Sequence, residues 1–398
     1  MKFARTVFTL SAAAAMLVGS LAQAQPPGPA GHDFRVVTVA EGLRNPWGMV
    51  FTPNGDLLVT ERVGELRIIR DGHLLPDPVP GVPPVRAQGQ GGLQDIALHP
   101  DFASNRVLYL SYSKPGAGGD MSMGTTALSR ARFVDDRLED VEEIFEAVAW
   151  ATTPGHFGAR IAFDGDGYLF MSVGDRMAGF EPGGFTKDLA GHPAQDLSNH
   201  QGTIVRLHDD GSIPEDNPFV GQAGALPEIW TYGHRNPQGL AFDPETGNLW
   251  ETEHGPQGGD ELNVILPGRN YGWPVIGYGA NYTVGTEIHL SRYHEGMQQP
   301  AAFWVPSIGA SGLAIYHGDA FPNWRGNAFM GGLSGNYRRL VRVSLDGTTV
   351  ANREPLLVGE YRIRDVREGP DGFLYIATDN MFPGQPSDII RLEPVEEQ

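Results

Sequence analysis

Asp166-Gly167-Tyr168-Leu169-Phe170-Met171-Ser172-Val173-Gly174-Asp175 is a turn of Asp and Gly that runs into apolar, strand-forming residues and is closed by a carboxylate. The phrase returns as Asn54-Gly55-Asp56-Leu57-Leu58-Val59-Thr60-Glu61, as Thr246-Gly247-Asn248-Leu249-Trp250-Glu251-Thr252-Glu253 and as Asp371-Gly372-Phe373-Leu374-Tyr375-Ile376-Ala377-Thr378-Asp379. Gly, Asn and Asp supply the turn, and the run behind them reads as an inner strand. A second apolar strand precedes each copy: Gly48-Met49-Val50-Phe51, Ala159-Arg160-Ile161-Ala162-Phe163, Gly239-Leu240-Ala241-Phe242 and Asp365-Val366-Arg367-Glu368. Two weaker copies, at 106–112 and 327–333, bring the units to six.

Each unit is a small antiparallel sheet that cannot bury both faces alone, and radial stacking around an axis solves that while leaving only short edges. The expected fold is therefore all-β, a six-bladed β-propeller with four-stranded antiparallel blades, formed as one domain by residues 34–398. Phe34-Arg35-Val36-Val37-Thr38-Val39 alternates like a strand and is placed to pair with Asp388-Ile389-Ile390-Arg391-Leu392, closing the ring. A pair of sandwiched sheets is the competing architecture. Residues 114–124, 178–191 and 268–304 stand out as long insertions, candidates for the rim of a pocket. The last is rich in Tyr, Trp, Gly and Asn, which suits a polar, ring-shaped ligand.

Lys2 and Arg5 precede an apolar run that ends at Ala22-Gln23-Ala24, the pattern of a secretory signal peptide over residues 1–24, with a Pro/Gly linker at 25–33. This places the mature chain in the periplasm or outside the cell. No later stretch is apolar enough to span a membrane. The chain has no cysteine, so disulfides, thiolate metal sites and thiol nucleophiles are excluded. The formal charge of −19 becomes −21 once Lys2 and Arg5 leave, and no basic block remains to follow a phosphate backbone or an anionic membrane. Neither a nucleophile elbow nor a phosphate-binding Gly-rich loop is present.

The residues that carry chemistry stand where loops leave the repeated strands. His156 precedes one strand and Asp175 closes the next, so the carboxylate is placed to fix the imidazole tautomer for general-base work. The same spacing also fits a surface histidine beside an unrelated turn. Arg235-Asn236-Pro237-Gln238 gathers a guanidinium and two amides, suited to a ligand with carboxylates or carbonyls. Arg362 and Arg364 alternate and so share one strand face, though Arg364-Asp365 also reads as a structural ion pair. Glu253-His254-Gly255-Pro256-Gln257-Gly258-Gly259-Asp260-Glu261 supplies carboxylates and open carbonyls, an oxygen-rich set that a hard cation favours, although it lacks EF-hand spacing and reads equally as an acidic turn. Tyr271, Trp273, Tyr278 and Trp304 read as packing rather than as a stacking platform.

Together these phrases resemble the soluble quinoprotein sugar dehydrogenases of the glucose/sorbosone dehydrogenase family, aldose sugar dehydrogenases among them. Gly89-Gln90-Gly91-Gly92-Leu93, His99-Pro100-Asp101-Phe102, His156-Phe157-Gly158 and Asn270-Tyr271-Gly272-Trp273-Pro274 carry the likeness, with the loops at 233–239, 253–263 and 362–366. The resemblance implies a propeller holding pyrroloquinoline quinone (PQQ) and Ca²⁺ at one end of its axis. It makes His156 the base that takes the anomeric hydroxyl proton and Asp175 its orienting carboxylate. Gln90, Arg235, Asn236, Gln238, Arg362 and Arg364 fall on positions that contact or line the quinone. Gly255 and Pro256 match the carbonyls of the catalytic calcium, and Glu261 and Tyr271 resemble positions of a second, structural one.

One departure stands out. The family's Leu-Lys-Gly phrase reads Leu333-Ser334-Gly335 here, and Ser334 supplies no charge. Arg338 from the following loop is one substitute; weaker cofactor binding or an inactive relative are the others. The resemblance implies an aldose substrate, a separate electron acceptor and a monomer or homodimer. A calcium-dependent lactonase or esterase, and a non-catalytic carbohydrate- or protein-binding propeller, are the rival readings.

Overall fold

The computed structural model describes residues 34–395 except 182–183, 186–188, 190, 283–284 and 381–385. The expected signal peptide and linker lie outside the described residues, as does part of the 178–191 insertion. Six four-stranded antiparallel sheets form six blades. Their innermost strands are Pro46–Phe51, Leu93–Leu98, Gly158–Phe163, Pro237–Phe242, Ala310–Ile315 and Ile363–Glu368, each packed on the next and the last on the first. The recurring Gly/Asp phrase is the second strand of its blade, and the strand upstream of it is the one that lines the axis. Phe34–Leu43 pairs antiparallel with Ser387–Pro394, Phe34 opposite Pro394 and Thr38 opposite Ile390, and so completes the sixth blade as expected.

Strand alternation explains why blades need neighbours. In Leu374–Thr378, Leu374 and Ile376 enter the core shared with the fifth blade, whereas Tyr375 and Ala377 enter the core shared with the first. Leu169, Met171 and Val173 likewise face the second blade while Phe170 faces the fourth. Both faces of a second strand are thus buried, so its sequence reads as a continuous apolar run. One hydrophobic cluster fills each of the six blade interfaces.

Residues 114–124 are not an inserted loop. They extend two strands, Val107–Gly116 and Asp120–Val134, into a long hairpin, because Ser113-Lys114-Pro115 pairs in register with Gly124-Thr125-Thr126. Of the insertion expected at 268–304, the described residues up to Ala301 form an irregular excursion that reaches the rim through Tyr282, whereas Ala302–Trp304 is the outer strand of the fourth blade.

Beneath the rim the axis is closed. The third and sixth blades lie opposite one another in the ring, and fully buried Arg160 of the third contacts Asp365 of the sixth at 3.0 Å and Asp95 of the second at 3.0 Å. Arg367 joins the same two carboxylates at 3.2 and 3.1 Å. Asp365 therefore pairs with Arg160 and Arg367, and the sequence pairing of Arg364 with Asp365 does not form. Gly48 and Gly312 make room for the aspartates, since a Cβ there would lie 2.4 Å from Asp95 and 2.2 Å from Asp365 side-chain oxygens. Trp47 covers the cluster, its ring 4.2 Å from the Arg160 guanidinium.

Candidate functional site

An innermost strand begins, and the antiparallel second strand ends, at the same end of every blade. Residues just before the one and just after the other therefore meet at one mouth. Each innermost strand also shifts register near its start: Pro46/Met49, Leu93/Ile96, Gly158/Ile161, Pro237/Gly239, Ala310/Leu313 and Ile363/Asp365. Such bulges re-aim side chains. The product is a cavity of about 600 Å³ whose wall includes Gln90, Gln238, Arg362 and Arg364.

His156 Nδ1 lies 2.6 Å from Asp175 Oδ1. Asp175 is completely buried; Trp273 Nε1 donates to its Oδ2 at 2.8 Å and the Met177 amide to its Oδ1 at 2.8 Å. Burial lowers the His156 pKa, the Arg235 charge adds to that, and Asp175 opposes both. For Asp175, burial pushes upward and is outweighed by His156 and Arg235, so its pKa is lowered. The pair is a neutral imidazole held by a charged carboxylate, with Nδ1–H donated to Asp175 and Nε2 left basic. The His156 amide donates to Gln90 Oε1 at 2.8 Å, which places the dyad directly behind the cavity wall at Gln90 and Phe157.

From the wall inward, polar side chains form a chain. Arg364 Nη1 donates to Gln238 Oε1 at 3.0 Å, and Gln238 Nε2 to Asn236 Oδ1 at 3.2 Å. Asn236 Oδ1 also accepts from the Gly158 amide at 3.2 Å, tying this chain to the His156 loop. Arg362 and Arg364 both pair with Asp379. Burial, opposed by Asp379 but reinforced by Arg362 and Arg62, pulls Arg364 down to about 9. Its positive charge is short of counterions, which suits a polyanionic occupant.

Arg235 donates through Nη1 to the His254 carbonyl at 3.0 Å and the Gly255 carbonyl at 2.8 Å. Its backbone carbonyl receives the Asp175 amide at 2.8 Å, so His156, Arg235 and Gly255 belong to one assembly. Arg235 and Gly255 border a smaller cavity that shares His254 and Pro256 with the larger. Asp260 fixes the loop by accepting from the Gly255 amide at 3.0 Å and from Ser307 and the Gly309 and Ala310 amides. A cation held by the Gly255 carbonyl would compete with the Arg235 guanidinium for that oxygen.

Glu261 and Tyr271 also border the smaller cavity. The Tyr271 hydroxyl is engaged, donating to the Val264 carbonyl at 2.5 Å and accepting from the Leu266 amide at 2.9 Å, so a cation would find only its backbone. Glu261 instead belongs to a buried acidic set. Glu253 stands opposite Glu261 and Glu251 opposite Asn263 in the ladder, and Asn263 Nδ2 donates toward all three carboxylates at 3.0–3.4 Å. His234, Glu251 and Glu253 bring ligand atoms within 4.8 Å of one another, and buried Glu251 Oε1 has no hydrogen-bond partner among the described residues. Burial, and then the Glu253 charge, push Glu251 and Glu261 well above the usual carboxylate range. Facing like charges in a ladder is unfavourable by itself. This oxygen-rich donor set fits a hard cation.

Of the aromatic residues, Tyr278 stacks on Phe303 at 3.7 Å between ring centroids and Trp304 lies against Arg353. Trp273 does more than pack, since it holds Asp175. Arg338 donates to the Gly359 carbonyl at 2.8 Å and is absent from the cavity wall, so it does not replace the missing lysine; Ser334 itself lines the wall. Sequence reading passed over His254, Asp379 and Arg62 as site residues. The repeat carried the signal for all three: Asp379 ends its phrase as Asp175 does, and Arg62 and His254 each follow theirs.

A propeller that sinks an imidazole–carboxylate pair and a cluster of guanidiniums into one end of its axis is built to hold a small polyanion beside a base. The chain belongs to the glucose/sorbosone dehydrogenase family, whose model matches residues 43–385, and so to the oxidoreductases. It is similar to the aldose sugar dehydrogenase YliI of Escherichia coli K12, 42% identical over 350 residues covering 86% of this chain and 90% of that one. The solved apo-form of the soluble aldose sugar dehydrogenase from Escherichia coli matches with a TM-score of 0.82 and 39% identity, over 91% and 100% of the two chains. The PQQ-bound aldose sugar dehydrogenase from Streptomyces coelicolor matches with 0.71 and 31%, over 92% and 99%.

Proposed function

We propose that this chain is a PQQ- and Ca²⁺-dependent dehydrogenase, periplasmic or secreted, that oxidises the anomeric carbon of aldoses to lactones and passes the electrons to a separate acceptor. The observation that carries it is the His156–Asp175 pair set behind a cavity rich in guanidinium groups. When bound, PQQ supplies the acceptor for the hydride leaving the anomeric carbon, and calcium polarises its carbonyl. His156 Nε2 takes the hydroxyl proton, Asp175 keeps Nδ1–H in place, and Trp273 keeps Asp175 from turning. Gln90 fixes the His156 backbone. Arg235, Asn236, Gln238, Arg362 and Arg364 would hold the cofactor's carboxylates and carbonyls. Gly255 and Pro256 would offer carbonyls to one calcium, and Glu261 with Glu253 and Glu251 carboxylates to another.

A hydrolytic metal site would need side-chain carboxylates around the cavity. Among the described residues lining it, only Asp379 carries one, and two arginines occupy it.

Apoprotein given PQQ and Ca²⁺ should reduce a redox dye with aldoses, and neither addition alone should suffice. Lactone or ester hydrolysis without quinone would instead establish the hydrolase reading. Calcium should also raise the thermal midpoint of the apoprotein, by about 2.7 kcal/mol of stability at roughly 100 times its Kd. Glu253→Gln should lose most of that rise. A wild-type midpoint indifferent to calcium would remove the cation from the acidic set.

A further inference from the structure

Three guanidinium groups, Arg62, Arg362 and Arg364, face one carboxylate, Asp379, on the cavity wall. Asp379 is shared by Arg362 and Arg364. Arg62 has no carboxylate partner: Nη1 donates to the Gly89 carbonyl at 2.7 Å, and its buried Nε has no hydrogen-bond partner among the described residues. Burial lowers its pKa, opposed by Asp379 and reinforced by Arg362. Arg62 is half-buried, and a partly desolvated charge with no carboxylate of its own gains from a ligand that supplies one.

The position is also fixed. The Arg62 amide donates to the Asn45 carbonyl at 3.1 Å. Its own carbonyl packs against Gly92, where φ is +141° and a Cβ would come within 1.8 Å, so only glycine permits this approach. Ser334, on the same cavity wall, offers a hydroxyl and no charge.

We propose that Arg62 is a cofactor-binding residue that completes, with Arg362 and Arg364, a cradle of three guanidiniums for a carboxylated ligand. Resting on the quinone reading above, this assigns Arg62 to one carboxylate of PQQ. A charge-assisted hydrogen bond of that kind adds to affinity and leaves the chemistry of the base untouched.

The test is a titration of apoprotein with PQQ, followed by quenching of tryptophan fluorescence, for wild type, Arg62→Met, Arg62→Lys and Arg338→Met. Arg62→Met should weaken PQQ binding by roughly 10- to 100-fold, with Arg62→Lys between it and wild type. Arg338→Met should bind as wild type does. The trimethyl ester of PQQ, which has no free carboxylate, should not discriminate between wild type and Arg62→Met. Thermal melting of each apoprotein reports whether it folds, and Arg62→Lys preserves the comparison if Arg62→Met does not. PQQ binding by folded Arg62 variants within about twofold of wild type would overturn the assignment and leave the proposed function standing. A wild-type protein that takes up no PQQ would overturn both.

Discussion

His156→Ala should lower kcat by roughly 10²- to 10⁴-fold, the usual worth of a positioned general base, while PQQ affinity measured by fluorescence stays near wild type. The separation of the two readouts matters, because the role proposed for His156 is toward the sugar hydroxyl, whereas the cofactor is assigned to Gln90 and the other residues of the wall. The pH profile follows from the same geometry. The base acts when neutral, and burial together with Arg235 holds its pKa below the ordinary histidine value of 6.5. Activity should therefore be fully present above that value and fall only as pH drops through the lowered one. Asp175→Asn removes the charge that opposes the lowering, so its acid limb should move further down while kcat falls. An acid limb above pH 6.5, or unchanged turnover in His156→Ala, would remove the imidazole from the mechanism.

Arg160→Met should destabilise the fold by about 3–5 kcal/mol, since deleting one partner leaves the buried Asp95 and Asp365 charges with Arg367 alone. The measurement is the denaturant midpoint at constant m-value. Burial already raises the Asp365 pKa, ahead of the attraction of Arg160 and Arg367 that opposes it. A carboxyl raised in the folded state contributes stability at low pH and loses it as pH rises through that value. Removing Arg160 raises it further, so the deficit of the variant should shrink as pH falls toward the carboxylate range. A loss below about 1 kcal/mol would mean that the cluster does not hold the opposed blades together.

The fold was legible because it rests on period-two alternation and turn residues, both written locally. Phe34–Val39 could be matched to Asp388–Leu392 for the same reason, and His156 to Asp175 because strand ends in neighbouring positions of a blade converge. The register shifts were not legible. Arg364 and Asp365 are neighbours on one strand and point to opposite faces, so Arg364 meets Asp379 while Asp365 meets Arg160 and Arg367, and nothing in the alternation marks which distant partner each finds. Arg160 and Asp365 are 205 positions apart and meet only because the third and sixth blades stand opposite. The acidic set was half visible: Glu253 and Glu261 stood in a quoted loop, but Glu251 and Asn263 join them only through the pairing of two strands. Arg338 was chosen by proximity in sequence, whereas the chain turns its guanidinium outward and leaves Arg62, from another blade, on the wall.

The clasp of Arg160 on Asp365 under Trp47 also bears on traffic. A ring of blades invites the picture of a tunnel, yet here the hub is filled by buried ions and an indole. Sugar, oxidised product and electron acceptor would all use a single entrance. On the function proposed above, turnover would become two successive visits to one doorway, with the guest slowest to leave setting the pace for the next.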